Sequence, residues 1–196
     1  TTSPGDTTYY ISYNSGNDNN DGKSEDKAFK NLGKVNSITF NPGDKLKFKS
    51  GETWKGYFKL RGSGSVDKPI SIESYSSGNK PKIDGNGYQA AVFIENQEYV
   101  NISGLELTNE ESHKNSNGSV KLMNQSSRSG EDERFGLLVL RHGSSNINDI
   151  KLDDIKISEI YPTPSNSDNN HQGYAVRFES LNDDNVLNYY DGIEID

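Results

Sequence analysis

The sequence predicts an all-β fold, a parallel β-helix or solenoid, on three observations. Apolar and polar residues alternate with period two in VFIE (92–95), LVLR (138–141) and VRFE (176–179), and again in SGLELT (103–108), DDIKIS (153–158) and DGIEID (191–196). That alternation marks strands with one buried face. The same slots then recur, because Ile94, Leu140 and Phe178 are followed by Leu107, Ile157 and Ile195 at separations of 13, 17 and 17 residues. Strand-only units repeated at a near-fixed period imply stacked coils, each burying an inward row against the next. Finally, 196 residues with 30% hydrophobic content suit one thin domain with a narrow core stripe.

Residues 1–44 read as an N-terminal cap. TTYYISYN (7–14) is β-prone, and Ser24 is placed to cap a helix with Glu25 and Asp26 in its first turn. Ala28, Phe29, Leu32 and Val35 form a helical stripe suited to covering the first coil. In the loop before it, Asp18, Asn20 and Asp21 offer oxygens to calcium, but without EF-hand spacing, and ordinary Asn-Asp-Gly turn chemistry explains the same residues.

Residues 45–196 read as the coils. Leu46 and Phe48 alternate with Lys45, Lys47 and Lys49; Phe58 and Leu60, then Ile70, Ile72 and Ile83, continue the pattern. The lysine run is read as a solvated face. Alternation gives about five coils, a stack about 24 Å tall at the inter-strand spacing. Two insertions, 109–134 and 160–173, follow the same strand of successive coils and are expected to leave at one corner and wall a ligand site. The last strand has no visible C-terminal cap after it, so either continuation past Asp196 or self-association through the open C-terminal coil is expected.

The runs YYIS (9–12), GNDNNDGKSEDKAFKNLGKVN (16–36), NPGDKLKFKSGETWKG (41–56) and KPISIESYSSGNKPKIDG (68–85) together resemble the cap and first coils of the right-handed parallel β-helix proteins of the pectate-lyase-like superfamily. The resemblance spans roughly residues 7–108. It implies a right-handed coil, a secreted or cell-surface or periplasmic setting, and a polysaccharide partner cleaved by a lyase or a glycoside hydrolase. Calcium held by carboxylates is part of what it implies.

Composition narrows the partners. The formal charge of −8 argues against nucleic acid, whose phosphates would be repelled. No transmembrane run of about 18 apolar residues is present. With no cysteine, disulfides, thiolate metal sites and a cysteine nucleophile are excluded.

The candidate chemistry lies late in the chain. A lyase must neutralise a uronate carboxylate, remove the adjacent proton and protonate the leaving oxygen. Arg177 suits the first task and His171 or Tyr174 the others, with His142 beside Arg141 in reserve. Arg141 between Glu95 and Glu179 also reads as a structural salt ladder. A glycoside hydrolase would instead need two carboxylates about 5 to 9.5 Å apart, for which Glu179, Glu194 and Asp196 are the candidates. Tyr161, Tyr174, Tyr189 and Tyr190 could stack on sugars, although Tyr190 falls in the Ile102 slot and reads as core. The sequence therefore predicts a polysaccharide lyase, with a non-catalytic glycan-binding or self-assembling module and a glycoside hydrolase as alternatives.

Overall fold

The computed structural model describes residues 1–109, 133–143, 146–160, 172–181 and 190–196. Their strands pair in parallel in three sheets. The first holds β1 (Thr8–Ile11), β2 (Lys45–Lys49), β5 (Ile70–Tyr75), β8 (Val100–Ser103), β11 (Ile147–Asp153) and β14 (Tyr190–Ile195). The second holds β3 (Thr53–Lys55), β6 (Lys82–Asp84), β9 (Glu106–Asn109) and β12 (Lys156–Ile160). The third holds β4 (Phe58–Leu60), β7 (Ala90–Glu95), β10 (Glu133–His142) and β13 (Gln172–Leu181). From β2 the chain visits first, second and third sheets in rotation four times, and β14 then rejoins the first.

The structure corrects the single β-helix of two-strand coils read from the sequence: the strands form three separate parallel sheets, and three strands make one repeat. Ile195 lies opposite Leu152, which lies opposite Ile102, whereas Leu107 and Ile157 face one another in another sheet. The sequence reading ran β8 and β11 together with the strands that follow them, and β3, three residues with one apolar side chain, is too short for alternation to show. Tyr190 pairs with Ile147, not with the Ile102 slot.

One register also shifts. Val139, not Leu140, aligns with Ile94 and Phe178, and Leu140 lies between Glu95 and Glu179. The third sheet is buried on both faces along β7 and β10, so its strands read as continuous apolar runs in which period two is masked. Lys47 of β2 lies opposite Glu73 of β5, with Nζ 3.2 Å from its carboxylate.

The main core runs between the sheets: Leu46 and Phe48, Trp54, Phe58 and Leu60, Ile70 and Ile72, Ile83, Val92 and Ile94, Leu107, Leu137 and Val139. A second cluster of Ala90, Phe93, Phe135, Leu138 and Leu140 occupies the other face of the third sheet.

The expected helix over 25–36 is broken in two. A 3-10 turn covers Glu25–Lys27 and a short helix, α1, covers Leu32–Asn36. Ser24 makes no side-chain cap bond. Between the two pieces Phe29 donates its N–H to the Tyr10 carbonyl and accepts that of Ser12, both at 2.9 Å, so it pairs with β1. Ala28, Phe29, Leu32 and Val35 are all buried as their apolar character requires, but strand pairing competes successfully with helix at the centre of the stripe.

Candidate functional site

Four times the chain crosses from the second sheet to the third. Gly56 and Tyr57 link β3 to β4, and residues 85–89 link β6 to β7. Residues 110–132 link β9 to β10, and 161–171 link β12 to β13; these two segments, with His171 and Tyr161, lie outside the described residues. Two of these crossings, 56–57 and 85–89, are tight turns between the same pair of sheets.

A cleft of about 340 Å³ opens at the tight turns, between the N-terminal segment and β3. Its aromatic wall comes from Tyr13, Trp54, Tyr57 and Tyr88. Trp54 is buried because β3 turns it inward against Phe48, centroids 5.2 Å apart, and its indole N–H donates to the Lys30 carbonyl at 2.9 Å. Tyr57 and Tyr88 meet at 4.9 Å with planes inclined by 60°. Asn36, at the end of α1, donates its side-chain amide to the Tyr57 carbonyl and accepts the Lys59 N–H.

A second amide locks the corner one turn further on. Asn109 Nδ2 donates to the carbonyls of Tyr88 at 2.7 Å and Phe135 at 3.1 Å, tying two successive crossings together. Gly85 leaves room for it, since a Cβ there would come within 2.4 Å of the Asn109 side chain.

Past the crossings, on the outer face of the third sheet, the guanidinium of Arg177 lies over the Tyr174 ring at 4.8 Å. Its Nη1 is 3.7 Å from Glu133 and its Nε 3.7 Å from Glu179. Tyr174 stacks on Phe135 at 5.5 Å. The arrangement brings together Arg177, Tyr174 and Glu179, and adds Glu133, which the sequence reading left inside an insertion. Lys59 pairs with Glu95 at 2.8 Å on the same face.

The remaining candidates fall elsewhere. Arg141 is buried, and Nε and Nη2 donate to the Ser180 hydroxyl at 2.8 and 2.6 Å. His142 donates its backbone N–H to Asn96 at 2.8 Å. Glu194 lies in the first sheet, 2.9 Å from Lys151, while Glu179 lies in the third. Lys151 holds the Glu194 carboxyl below its usual range.

The calcium reading of Asp18, Asn20 and Asp21 does not fit. Asp18 accepts the N–H groups of Lys30 and Asn31 and the Asn31 amide, Asn20 donates its side chain to the Ala28 carbonyl, and Asp21 accepts the Lys23 N–H. These oxygens fold the loop back on itself. Among the described residues no three acidic or histidine side chains gather as a metal site.

The sequence signal for the corner was a recurring Gly-Tyr pair, 56–57, 87–88 and 173–174, each at the entry to a third-sheet strand. What the corner offers is aromatic surface with fixed amides beside it, which suits a sugar: ring faces pack on aromatics and hydroxyls meet amides.

No protein-family model matches the chain. The fold is that of GH136 proteins, which are glycoside hydrolases. The chain superposes on the selenomethionine and native crystal structures of GH136 lacto-N-biosidase from Eubacterium ramulus with TM-scores of 0.70 and 0.73 and identities of 23% and 22%. The match covers 96% of this chain and 34% and 33% of theirs. In sequence the chain is 27% identical over 201 residues to lacto-N-biosidase of Bifidobacterium longum subsp. longum, spanning 82% of this chain and 12% of that protein's length. These comparisons overturn the pectate-lyase-like assignment. The motifs behind that assignment are cap and strand features, which serve packing in folds of many chemistries.

Proposed function

We propose that this chain serves a glycoside hydrolase acting on a glycan that contains lacto-N-biose units. The observation that carries the reading is the 27% identity to a lacto-N-biosidase over 82% of the chain, and the shared fold of the E. ramulus enzyme supports it. On this reading the three sheets are the faces of a stack of turns, and the corner between the second and third is where the glycan lies. A glycan substrate suits a secreted, periplasmic or cell-surface setting.

Hydrolysis takes two carboxyl groups flanking the scissile bond. Among the described residues, carboxylates with cationic neighbours include Glu95 with Lys59, Glu106 with Lys82 and Lys156, and Glu133 and Glu179 with Arg177. That pairing favours glycan holding as the part played by the described corner, with the second reading, a binding module, sharing this surface.

The test is release of the chromophore from an aryl β-glycoside of lacto-N-biose. Turnover supports the hydrolase reading. Retention of lacto-N-biose on an affinity column with no turnover moves the assignment to the binding module.

A further inference from the structure

The wall of the corner cleft contains the only tryptophan in the chain, Trp54, and a glycine, Gly33, on α1. A Cβ built on Gly33 meets nothing within 4 Å. We infer that this cleft is a subsite for a neutral pyranose, a place where one ring of a glycan is held against Tyr57 and Tyr88. The inference rests on the glycan-directed reading above and deepens it.

Three properties of the cleft argue for this occupant. Among the described residues, its lining combines the rings of Tyr13, Tyr57 and Tyr88 with the amides of Asn31 and Asn86, Lys55 is its single charged residue and no carboxylate lines it. Aromatic faces match the C–H faces of a pyranose, and amides match its hydroxyls. A cation would find no acidic ligand here, and an anion only one ammonium. The volume of about 340 Å³ lies at the small end of ligand sites, room for one or two sugar rings. The walls are also set in advance: Asn36 fixes the Tyr57 backbone, Asn109 that of Tyr88, and the Lys30 carbonyl fixes the Trp54 ring. Preorganised walls lower the ordering cost of a weak ligand.

Trp54 makes the test specific, because any tryptophan emission reports this cleft alone. Titrating the protein with lacto-N-biose, galactose and N-acetylglucosamine is expected to give a saturable emission change for at least one of them, at about millimolar concentration. Tyr57→Ala should weaken it about tenfold. Gly33→Leu should abolish it by filling the cleft, while Gly33→Ala should preserve it; both substitutions suit a helix. No saturable change, or a change that survives Gly33→Leu, overturns the subsite. Turnover of the aryl glycoside with a silent cleft would refute the subsite and leave the hydrolase reading standing; a responsive cleft without turnover would do the reverse.

Discussion

Asn31 grips the Asp18 carboxylate twice, donating its backbone N–H to Oδ1 at 2.9 Å and its side-chain amide to Oδ2 at 2.7 Å. The Lys30 N–H adds a third bond at 2.8 Å. Burial alone would raise this carboxyl, but the three bonds outweigh it and hold its pKa below the ordinary aspartate value. A carboxylate depressed on folding contributes stability that is present above the unfolded value, about 3.9, and is lost as pH falls through the folded one. Asp18→Ala should therefore cost about 2 kcal/mol at neutral pH. In urea titrations taken from about pH 5 to pH 2, the gap between wild type and variant should close. Parallel curves would refute the assignment.

Phe48 joins the first sheet to the other two, meeting Trp54 at 5.2 Å and Phe58 at 5.9 Å, both edge to face. Fully buried, it has no room to rearrange. Phe48→Ala should cost about 3 to 5 kcal/mol in chemical denaturation, and a loss below 1 kcal/mol would mean that the three sheets do not share one core.

Glu106 lies between Lys82 at 3.1 Å and Lys156 at 3.3 Å, a three-member ladder across the second sheet. Burial works to raise its carboxyl, yet the two ammonium groups prevail and leave it lowered. Because Lys156 is largely exposed, Glu106→Gln should cost no more than about 1 kcal/mol, and the cost should shrink in high salt. A salt-independent loss would point to a packing role.

Asn109 binds the backbone carbonyls of two successive crossings, Tyr88 and Phe135. Asn109→Ala should cost about 1 to 3 kcal/mol and broaden the resonances of Tyr88 and Phe135. Gly85→Ala should do similar damage from the opposite side, by displacing the Asn109 amide. Unchanged stability in both variants would show that the corner holds without this bond.

The parallel all-β character was legible because inward rows such as Leu46 and Phe48, or Ile70 and Ile72, alternate cleanly on half-solvated strands. The number of strands per repeat was not, since Thr53–Lys55 shows one apolar residue and passes for a loop, while Val100–Ser103 and Ile147–Asp153 run on into the strands after them. Register failed at Leu138–Leu140, where both faces are apolar and a slip of one residue leaves the pattern intact. Arg177 and Glu179 were found as residues, and the structure does set them together. Glu133 and Tyr57 were missed because their partners are distant in sequence. The relatives favour the hydrolase alternative over the lyase reading; Arg177 suits several chemistries, and its contacts with Tyr174, Glu133 and Glu179 cannot be read from residue type.

Burial on both faces of the third sheet has a consequence for exchange with solvent. The amides of β7 and the middle of β10 are hydrogen-bonded in parallel ladders and covered above and below. No local opening gives deuterium access to them, so their exchange should report the unfolding free energy of the whole domain. The amides of β14, with exposed side chains along Asp191–Ile195, should exchange orders of magnitude faster. Protection is thus graded across the fold, greatest in the strands of the third sheet that follow the crossings from the second.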